Sequence, residues 1–316
     1  MTDNRTLIPA IVIGGQTASG KSSLAVRACR EFCGEIISAD SIQVYRGMDI
    51  GSAKPSKEDL SAVRHHLIDI LDISEPFSSA DFISRSTDAL GNITSRGKLP
   101  FVTGGTGLYS EMLFNSFSLD ESRGDPEIRK KLTEEAASLG NEELYSRLAK
   151  IDPASAAKTH PNNVRRVVRY LEIYYATGKT ASEMNEVNNS GERIYSPLYI
   201  CLFSADREYI YSRINERVDV MFDMGLENEV RELCEMGLES SPTASAGIGY
   251  KEFFPYFRGE YDLETAKELI KQHSRNYAKR QYTYFKRISG CRHVDISEGD
   301  PTEKVFEMIS EHIKRG

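Results

Sequence analysis

The sequence has few cysteines and no long hydrophobic run. Its five cysteines are odd in number and scattered over 316 residues without a C-x-x-C pair, so neither a disulfide framework nor a zinc site is indicated. The first five residues lead into an apolar segment without a signal-type hydrophobic region, and no stretch approaches the length of a membrane span. We therefore expect a reduced, cytoplasmic protein, and the absence of an obvious apolar seam predicts a monomer.

Acidic residues are missing from one long segment near the C-terminus. The formal charge of the chain is −7, yet residues 271–292 contain seven basic residues, no acidic residue and several interleaved aromatic residues. A second basic cluster lies at 158–169. A solvated helix face explains either cluster alone equally well. Two clusters, one of them with aromatic rings that can stack on bases, favour an RNA partner over a small metabolite.

A phosphate-binding pattern stands near the N-terminus. Residues 15–22 have the form G-x-x-x-x-G-K-[ST] and directly follow the apolar run 7–13. In such loops, which are typical of nucleotide-binding and ATP-binding proteins, backbone N–H groups turn toward a phosphate, the lysine reaches its oxygens and the final hydroxyl can ligate Mg²⁺. We predict a ligand that is a diphosphate or longer. The predicted binding residues are Gly15, Gln16, Thr17, Ala18, Ser19, Gly20, Lys21 and Ser22, with Ser22 as the metal ligand.

Strands and helices alternate along the first hundred residues, which predicts an α/β fold with a P-loop-type parallel sheet flanked by helices. The predicted strands are 7–13, 35–39, 66–71 and 99–103, and the predicted helices between them are 22–32 and 80–94. Four helices without an intervening strand follow at 126–139, 141–150, 152–158 and 162–176. After a polar stretch at 185–193, we expect a strand at 198–203 and helices at 207–224, 226–236, 251–257, 263–286 and 303–313. The sequence thus predicts a catalytic core of 1–118 and 197–316 with an inserted all-helical lobe at 119–196.

Two further strand ends carry groups that can do chemistry. Asp40 follows the second predicted strand, where it can serve as a base or metal partner or merely cap a turn. Gly104-Gly105-Thr106-Gly107 follows the strand at 99–103, and its amides and hydroxyl form a candidate second anion site, although a glycine-rich turn alone is weak evidence. Because the carboxyl ends of parallel strands meet at one edge, we expect all three groups in one crevice.

These segments together resemble the tRNA dimethylallyltransferase family, also called tRNA isopentenyltransferases, in its bacterial form. The resemblance covers nearly the whole chain and rests on residues 15–22, 40–55, 65–69, 104–109, 165–178, 247–252 and 278–281. One departure is Gln16, where the family usually has proline. We expect its side chain to point away from the backbone cradle and to leave the chemistry unchanged.

The resemblance implies transfer of a dimethylallyl group from dimethylallyl diphosphate to N6 of the adenosine 3′ of a tRNA anticodon. It implies that Asp40 takes the proton of N6, and that Lys21, Thr106, Arg217 and Mg²⁺ stabilise the leaving diphosphate. Without the resemblance, a surface ion pair would explain Arg217. The implied partners are dimethylallyl diphosphate and the anticodon stem-loop. The residues implied to contact tRNA are Asp40, Ser41, Ile42, Gln43, Thr106, Arg129, Arg165, Arg166, Val167, Val168, Arg169, Gly249, Tyr250, Lys251, Arg275, Lys279, Arg280 and Gln281.

Three other functions share parts of this pattern. A kinase of a nucleotide or small metabolite has the same loop and sheet, but it needs neither two basic clusters nor an RNA-sized lobe. An enzyme that prenylates free adenine nucleotides is disfavoured by the basic lobe. A non-catalytic RNA-binding protein would need neither Asp40 nor Thr106. His65, His66 and Tyr109 are expected to pack or cap rather than to catalyse.

Overall fold

The computed structural model describes residues 7–114, 125–184 and 194–315. The chain divides into two compact units, of which the first comprises residues 1–114 and 194–316 and the second residues 115–193. The predicted lobe boundary between 118 and 119 and the predicted polar stretch at 185–193 lie outside the described residues.

The first unit is built on a parallel sheet. Its six strands have the order β3-β2-β4-β1-β5-β6. They are β1 (Ile8–Gly15), β2 (Gly34–Ser38), β3 (His65–His66), β4 (Leu99–Gly104), β5 (Tyr195–Phe203) and β6 (Arg292–Asp295). The α/β prediction with a parallel sheet is confirmed.

Two strands differ from the prediction. The expected strand at 66–71 is reduced to two residues, because Leu67 and Asp69 have φ values of 64° and 54°, which an extended strand does not hold. The edge strand β6 was not predicted, since only Val294 of its four residues is buried and no apolar run marks it.

Helices cover the sheet of the first unit. They are α1 (Lys21–Glu31), α2 (Lys57–Ala62), α3 (Ser79–Ser95), α4 (Gly107–Phe114), α9 (Arg207–Asp223), α10 (Leu226–Glu235), α11 (Phe253–Phe257), α12 (Leu263–Phe285) and α13 (Thr302–Arg315), with short 3₁₀ turns at Leu238–Ser240, Ala244–Ala246 and Ile296–Glu298. The start of α3 is a capping box, in which Ser78 and Asp81 bond each other's backbone N–H.

The central strand β1 explains the core of this unit. It pairs with β4 on one side and with β5 on the other, so its residues are enclosed by strands and by helices on both faces. Ile11 and Ile13 are fully buried and belong to one apolar cluster with residues of α1, α9 and α13. A strand that is buried on both faces reads as a continuous apolar run, which is why the sequence predicted it.

The second unit contains the four helices α5 (Pro126–Leu139), α6 (Asn141–Ile151), α7 (Pro153–Ala156) and α8 (Val164–Thr177), with a further helical segment at 181–184. Asp125 caps α5 by accepting from two backbone N–H groups, and Gly178 ends α8 with a φ of 73°. Leu132, Leu144 and Leu171 form part of its core. Its described residues contain no strand, as predicted.

No helix in residues 7–114, 125–184 and 194–315 combines the length and apolarity that a membrane span requires.

Candidate active site

The phosphate loop connects β1 to α1 at the carboxyl edge of the sheet. Gly15 and Gly20 have φ values of 132° and 84°, which favour glycine. A Cβ on Gly15 would also lie 2.0 Å from the carbonyl oxygen of Leu202 in β5. Both glycines of the pattern are therefore required by the backbone path of the loop.

Gln16 behaves as expected from its position behind the loop. Its side chain is 6% exposed, and its Oε1 accepts a hydrogen bond from the Ser204 N–H at 2.8 Å. This side chain anchors the loop to the end of β5. It lines neither of the two cavities that are described below. Gln16 thus points away from the two cavities, as expected, and its lack of effect on the chemistry stays a prediction.

A small polar cavity of about 70 Å³ lies inside the phosphate loop. Its wall combines the lysine and serine of the loop with residues from the ends of β2 and β4 and from α9 and α12. These residues include Thr17, Lys21, Ser22, Ser38, Asp40, Gln43, Gly104, Gly105, Arg217, Tyr277 and Gln281. The expected meeting of the loop, Asp40 and the glycine-rich turn at one edge of the sheet is thus observed.

Lys21 is one of two cationic side chains, with Arg217, in the described wall of the small cavity. Its ammonium group lies 3.4 Å from the Gln16 carbonyl oxygen, to which it donates. Desolvation, followed by the nearby Arg217 charge, lowers the pKa of Lys21 from 10.5 to about 8, although Asp40 and Cys201 act in the opposite direction. An anion that binds here would restore the protonated form, because opposite charge favours the ammonium ion.

The structure shows Asp40 as a turn cap, and its role as a base or metal partner stays a prediction. One carboxylate oxygen accepts from the N–H groups of Ile42 at 2.8 Å and Gln43 at 3.3 Å, which is a turn cap. Within the described residues, no group donates a hydrogen bond to the other oxygen. Asp40 also lines both cavities of the site, so its second oxygen is available to a ligand.

A larger cavity of about 340 Å³ adjoins the small one and shares Thr17, Asp40, Ser52, Arg217 and Tyr277 with it. One wall is apolar and comes from α9 and α12. Its buried residues are Ile214, Val218, Met221 and Ile270. The opposite wall consists of loop residues, which are Ser41, Ile42, Gly51, Thr243, Ala246, Gly247, Ile248, Gly249 and Lys251.

Arg217 of α9 contacts the phosphate loop, although the two are about 200 residues apart in sequence. Its guanidinium donates to the Thr17 hydroxyl at 3.2 Å, and it lines both cavities. Burial lowers the pKa of Arg217, while Asp40 raises it. Among the described residues Arg217 forms no ion pair, so the alternative of a surface ion pair is wrong.

The glycine-rich turn serves mainly as a packing surface for α12. A Cβ on Gly105 would lie 1.8 Å from Nε2 of Gln281, and a Cβ on Gly107 would lie 2.5 Å from the Tyr284 ring. Gly104 and Gly105 line the small cavity, whereas Thr106 lines neither cavity and lies beside Tyr277, whose pKa it lowers. A direct contact of Thr106 with an anion therefore remains a prediction.

Comparison with known proteins identifies the family. A family model described as IPP transferase matches residues 43–288. This chain belongs to that family. It is 43% identical to a tRNA dimethylallyltransferase of Acetivibrio thermocellus over 303 residues, which cover 96% of each chain. Two solved structures are also similar. The full-length tRNA isopentenylpyrophosphate transferase from Bacillus halodurans has a TM-score of 0.73 at 39% identity, with 98% of each chain covered. A eukaryotic dimethylallyltransferase acting on tRNA has a TM-score of 0.81 at 31% identity, covering 98% of this chain and 80% of that chain.

Four side chains that were expected to contact tRNA are buried. Val167 and Val168 are 1% and 4% exposed and pack in the core of the helical unit. They follow a pair of arginines in α8, and the 3.6-residue period places them on its inner face. Tyr250 is fully buried and bonds Glu229, and Gln281 is 3% exposed and accepts from the Thr17 N–H at 2.7 Å. These four side chains hold structural or loop-supporting positions, and their contact with tRNA stays a prediction.

The arginines of the helical unit fall into two groups. Arg129 and Arg169 both pair with the buried carboxylate of Glu172, each at 3.0 Å. Arg165 and Arg166 are exposed on the outer face of α8, where Arg166 donates to the Tyr170 hydroxyl at 2.8 Å. The exposed pair is therefore better placed to contact a phosphate backbone.

The remaining predicted tRNA contacts lie in the first unit. Ser41, Ile42, Gly249, Lys251 and Arg280 line the large cavity. Gln43 lines the small cavity, but its amide is occupied by bonds to Ser38, Ser52 and Ala53. Arg275 donates to Asn215 at 2.6 Å, and Lys279 is exposed on α12.

The expected packing roles of three residues agree with the structure. His66 bonds the carboxylate of Glu35 at 2.8 Å, and Tyr109 stacks on Phe82 with ring centroids 4.4 Å apart. His65 bonds the Val63 carbonyl oxygen at 2.8 Å, although it also reaches the wall of the small cavity. Burial lowers the pKa of His65, which favours its neutral form.

Tyr277 was not predicted to belong to this site. In the sequence it is one of several aromatic residues that lie among basic residues at 271–292, yet in the structure it lines both cavities. A helical period was the available signal. Ile270, Ser274, Tyr277 and Gln281 share one face of α12 with spacings of four, three and four residues.

Proposed function

We propose that this chain transfers the dimethylallyl group of dimethylallyl diphosphate to N6 of the adenosine 3′ of the anticodon in tRNA, with release of diphosphate. The observation that carries the proposal is the junction of two unlike cavities. The small cavity offers cationic and N–H donors, the large one has an apolar wall, and Asp40, Arg217 and Tyr277 border both. An isoprenoid diphosphate has the same division into an anionic and an apolar part.

The small cavity suits the diphosphate. Loop amides, Lys21 and Arg217 supply positive charge and hydrogen-bond donors around it. The prenyl group would then extend along the apolar wall formed by Val218 and Met221 of α9 and Ile270 of α12. Burial of this wall keeps bulk water away from the reacting carbon.

The reaction depends more on stabilising the leaving group than on activating the nucleophile. The N6 lone pair is delocalised into the purine, whereas the allylic carbon tolerates developing positive charge. The N6–carbon bond forms as the carbon–oxygen bond to the diphosphate breaks, and the electron pair of that bond leaves with the diphosphate. We assign the N6 proton to the second oxygen of Asp40. Lys21 and Arg217 neutralise the departing charge.

Mg²⁺ is compatible with the donors that are present. Hydroxyl and carboxylate oxygens are the ligands that this ion prefers, and Ser22 and Asp40 both line the small cavity. The described residues contain no group of three His, Cys, Asp or Glu side chains that could hold a metal. Ser22 would therefore hold Mg²⁺ together with diphosphate oxygens, and the ion would neutralise charge on the leaving group.

The target adenosine would enter the large cavity through its loop wall, where Ser41, Ile42, Gly249 and Lys251 lie. A base in a stacked anticodon loop has to be splayed out to reach such a cavity. Outside the cavity, exposed basic residues such as Lys279 of α12 and Arg165 of α8 are suited to the phosphate backbone.

One assay separates this function from its competitors. The protein is incubated with radiolabelled dimethylallyl diphosphate and either unmodified tRNA or adenosine monophosphate, and in parallel with labelled ATP. We expect label in tRNA only. Label in adenosine monophosphate but not in tRNA would contradict the proposal, and phosphoryl transfer from ATP would replace it with a kinase activity.

The lowered pKa of Lys21 predicts a pH dependence of diphosphate binding. Only the protonated ammonium attracts the anion, so affinity of the free protein for inorganic diphosphate should be lost as the pH rises through about 8. Desolvation by burial and then the charge of Arg217 lower the pKa to this value, against the opposing effect of Asp40 and Cys201. Calorimetry between pH 6.5 and 9.5 (about one and a half units on either side of this value) should also detect proton uptake on binding at the alkaline end.

Lys21→Gln is the matched control for this measurement. It removes the titrating group, so its weaker affinity should no longer decline through that pH range apart from titration of diphosphate itself. A wild-type affinity that stays flat while diphosphate is fully ionised would contradict the assignment of Lys21.

Charge reversal at the exposed arginines of α8 predicts a loss of tRNA affinity. Arg165→Glu combined with Arg166→Glu should weaken tRNA binding and reduce the slope of log affinity against log salt by about one per lost phosphate contact. Diphosphate affinity should not change. The control is Arg30→Glu combined with Lys98→Glu, which changes the charge equally at the amino edge of the sheet. An unchanged salt slope in the α8 variant would assign Arg165 and Arg166 to a solvated face.

A further inference from the structure

Tyr277 occupies the boundary between the two cavities. It projects from the same face of α12 as Ile270, which belongs to the apolar wall, and Gln281, which contacts the phosphate loop. The Arg280 guanidinium lies over its ring, 5.6 Å from the centroid. Because Tyr277 lines both spaces, it lies where the bond between the prenyl carbon and the diphosphate would break.

The orientation of Gln281 determines which hydrogen bonds the Tyr277 hydroxyl makes. The Oε1 of Gln281 accepts from the Thr17 N–H at 2.7 Å, so its Nε2 is directed to the other side. A Cβ on Gly105 would lie on that side, 1.8 Å from Nε2 of Gln281 and 3.5 Å from the Tyr277 hydroxyl oxygen. Gln281 therefore directs an N–H donor toward the side on which Tyr277 lies.

Thr106 is the second side chain beside this hydroxyl. Hydrogen bonding with Thr106 and Gln281 lowers the pKa of Tyr277. A phenol oxygen has two acceptor positions and one proton. A diphosphate in the small cavity, which Tyr277 lines, offers an acceptor for that proton.

We propose that the Tyr277 hydroxyl donates a hydrogen bond to the departing diphosphate, held in place by Gln281 and Thr106. This inference rests on the proposed prenyl transfer and adds a donor to its leaving-group site. Tyr277 gives up no proton in the step, since the electron pair of the breaking carbon–oxygen bond stays on the diphosphate and the N6 proton goes to Asp40. Thr106 acts through Tyr277 as a positioning residue.

The protonation state of Tyr277 suits a donor. Desolvation by burial, followed by the charge of Asp40, raises its pKa, and this outweighs the opposing effect of the two hydrogen bonds and of Arg280. The hydroxyl thus keeps its proton at neutral pH and beside the carboxylate of Asp40.

The test is the variant Tyr277→Phe, which keeps the ring and removes only the hydroxyl. We expect kcat for prenyl transfer to tRNA to fall by roughly 10²-fold and the KM for tRNA to stay within about two-fold of wild type. Affinity for inorganic diphosphate, measured by calorimetry, should fall by about ten-fold. Tyr282→Phe is the matched control, because Tyr282 lies on α12, stacks on Phe203 and lines neither cavity.

Two results would overturn the inference. One is a kcat of Tyr277→Phe within about three-fold of wild type. The other is an increased KM for tRNA at unchanged kcat, which would make Tyr277 a contact of the base. If wild-type protein failed to prenylate tRNA, the proposed function would fail, but the diphosphate affinities of the two proteins would still test the Tyr277 contact.

A second replacement covers the case in which Tyr277→Phe does not fold. Incorporation of 3,5-difluorotyrosine at position 277 keeps the hydroxyl and lowers its pKa. Activity should then match wild type at low pH and decline as the pH rises, because only the protonated hydroxyl donates. A pH profile identical to that of wild type would contradict the role of the proton.

Discussion

Replacing Asp40 with asparagine is expected to lower kcat for prenyl transfer by roughly 10² to 10⁴-fold while tRNA affinity stays nearly unchanged. Asparagine retains a side-chain oxygen that can accept from the N–H groups of Ile42 and Gln43, so the turn after β2 remains capped. It cannot take the proton of N6. Single-turnover transfer to tRNA and tRNA binding by fluorescence anisotropy measure the two effects separately.

Asp40→Ala and Asp88→Asn provide the comparison. Alanine removes the base and the turn cap together, so it should show the same loss of kcat and a further loss of stability of about 0.5 to 2 kcal/mol. Asp88 is exposed on α3, so Asp88→Asn should leave kcat and affinity unchanged. If Asp40→Asn weakened tRNA binding as much as it slowed transfer, Asp40 would be a structural residue rather than the base.

The parts of the site that follow strands of the sheet could be predicted because each is local in sequence. The phosphate loop is recognised from glycine spacing, and its place after β1 follows from a buried apolar run. Asp40 follows β2 in the same way, and parallel strands bring their carboxyl ends to one edge. Topology alone therefore brought Asp40 beside the loop.

The residues from α9 and α12 could not be placed in this way. Arg217 and Gln281 contact Thr17 across 200 and 264 residues of chain, and nothing in their local patterns distinguishes them from a solvated helix face. The family resemblance named both residues, but it described Gln281 as a tRNA contact. The structure instead places Gln281 as a support of the loop and of Tyr277.

Glycines were the most ambiguous signal. The run that ends β4 suggested an anion site, yet the space that Gly105 and Gly107 leave is filled by side chains of α12. Close packing and ligand binding select for the same residue type, so sequence cannot distinguish them. The packing of α12 side chains on these glycines is visible only in the structure.

A half-buried carboxylate holds part of the segment 40–55 in place. Glu229 of α10 accepts from the backbone N–H groups of Asp49, Ile50 and Gly51 at 3.0, 2.7 and 3.1 Å. The hydroxyl of Tyr250 bonds the same carboxylate at 2.8 Å. This network positions the wall of the large cavity. It was not predicted, because in the sequence Glu229 cannot be distinguished from a glutamate on a solvated helix face.

Arg217→Gln is the second substitution with a large expected effect. The guanidinium borders both cavities and contacts the loop, so its loss removes one donor from the departing diphosphate. Loss of one such donor lowers kcat by roughly 10² to 10³-fold, or about 2.7 to 4 kcal/mol of transition-state stabilisation. Affinity for inorganic diphosphate should fall as well, whereas tRNA affinity should not.

Arg217→Lys and Arg207→Gln determine whether geometry or charge matters. Lysine keeps the charge but not the planar fork that reaches both Thr17 and an anion, so it should recover only part of the lost kcat. Arg207 is exposed at the start of α9, and Arg207→Gln should have no effect on kcat. Full activity in Arg217→Lys would show that a point charge suffices, and full activity in Arg217→Gln would remove Arg217 from the reaction. In the second case Lys21 would be left as the main cation for the leaving group, because it is the other cation of the small cavity within the described residues.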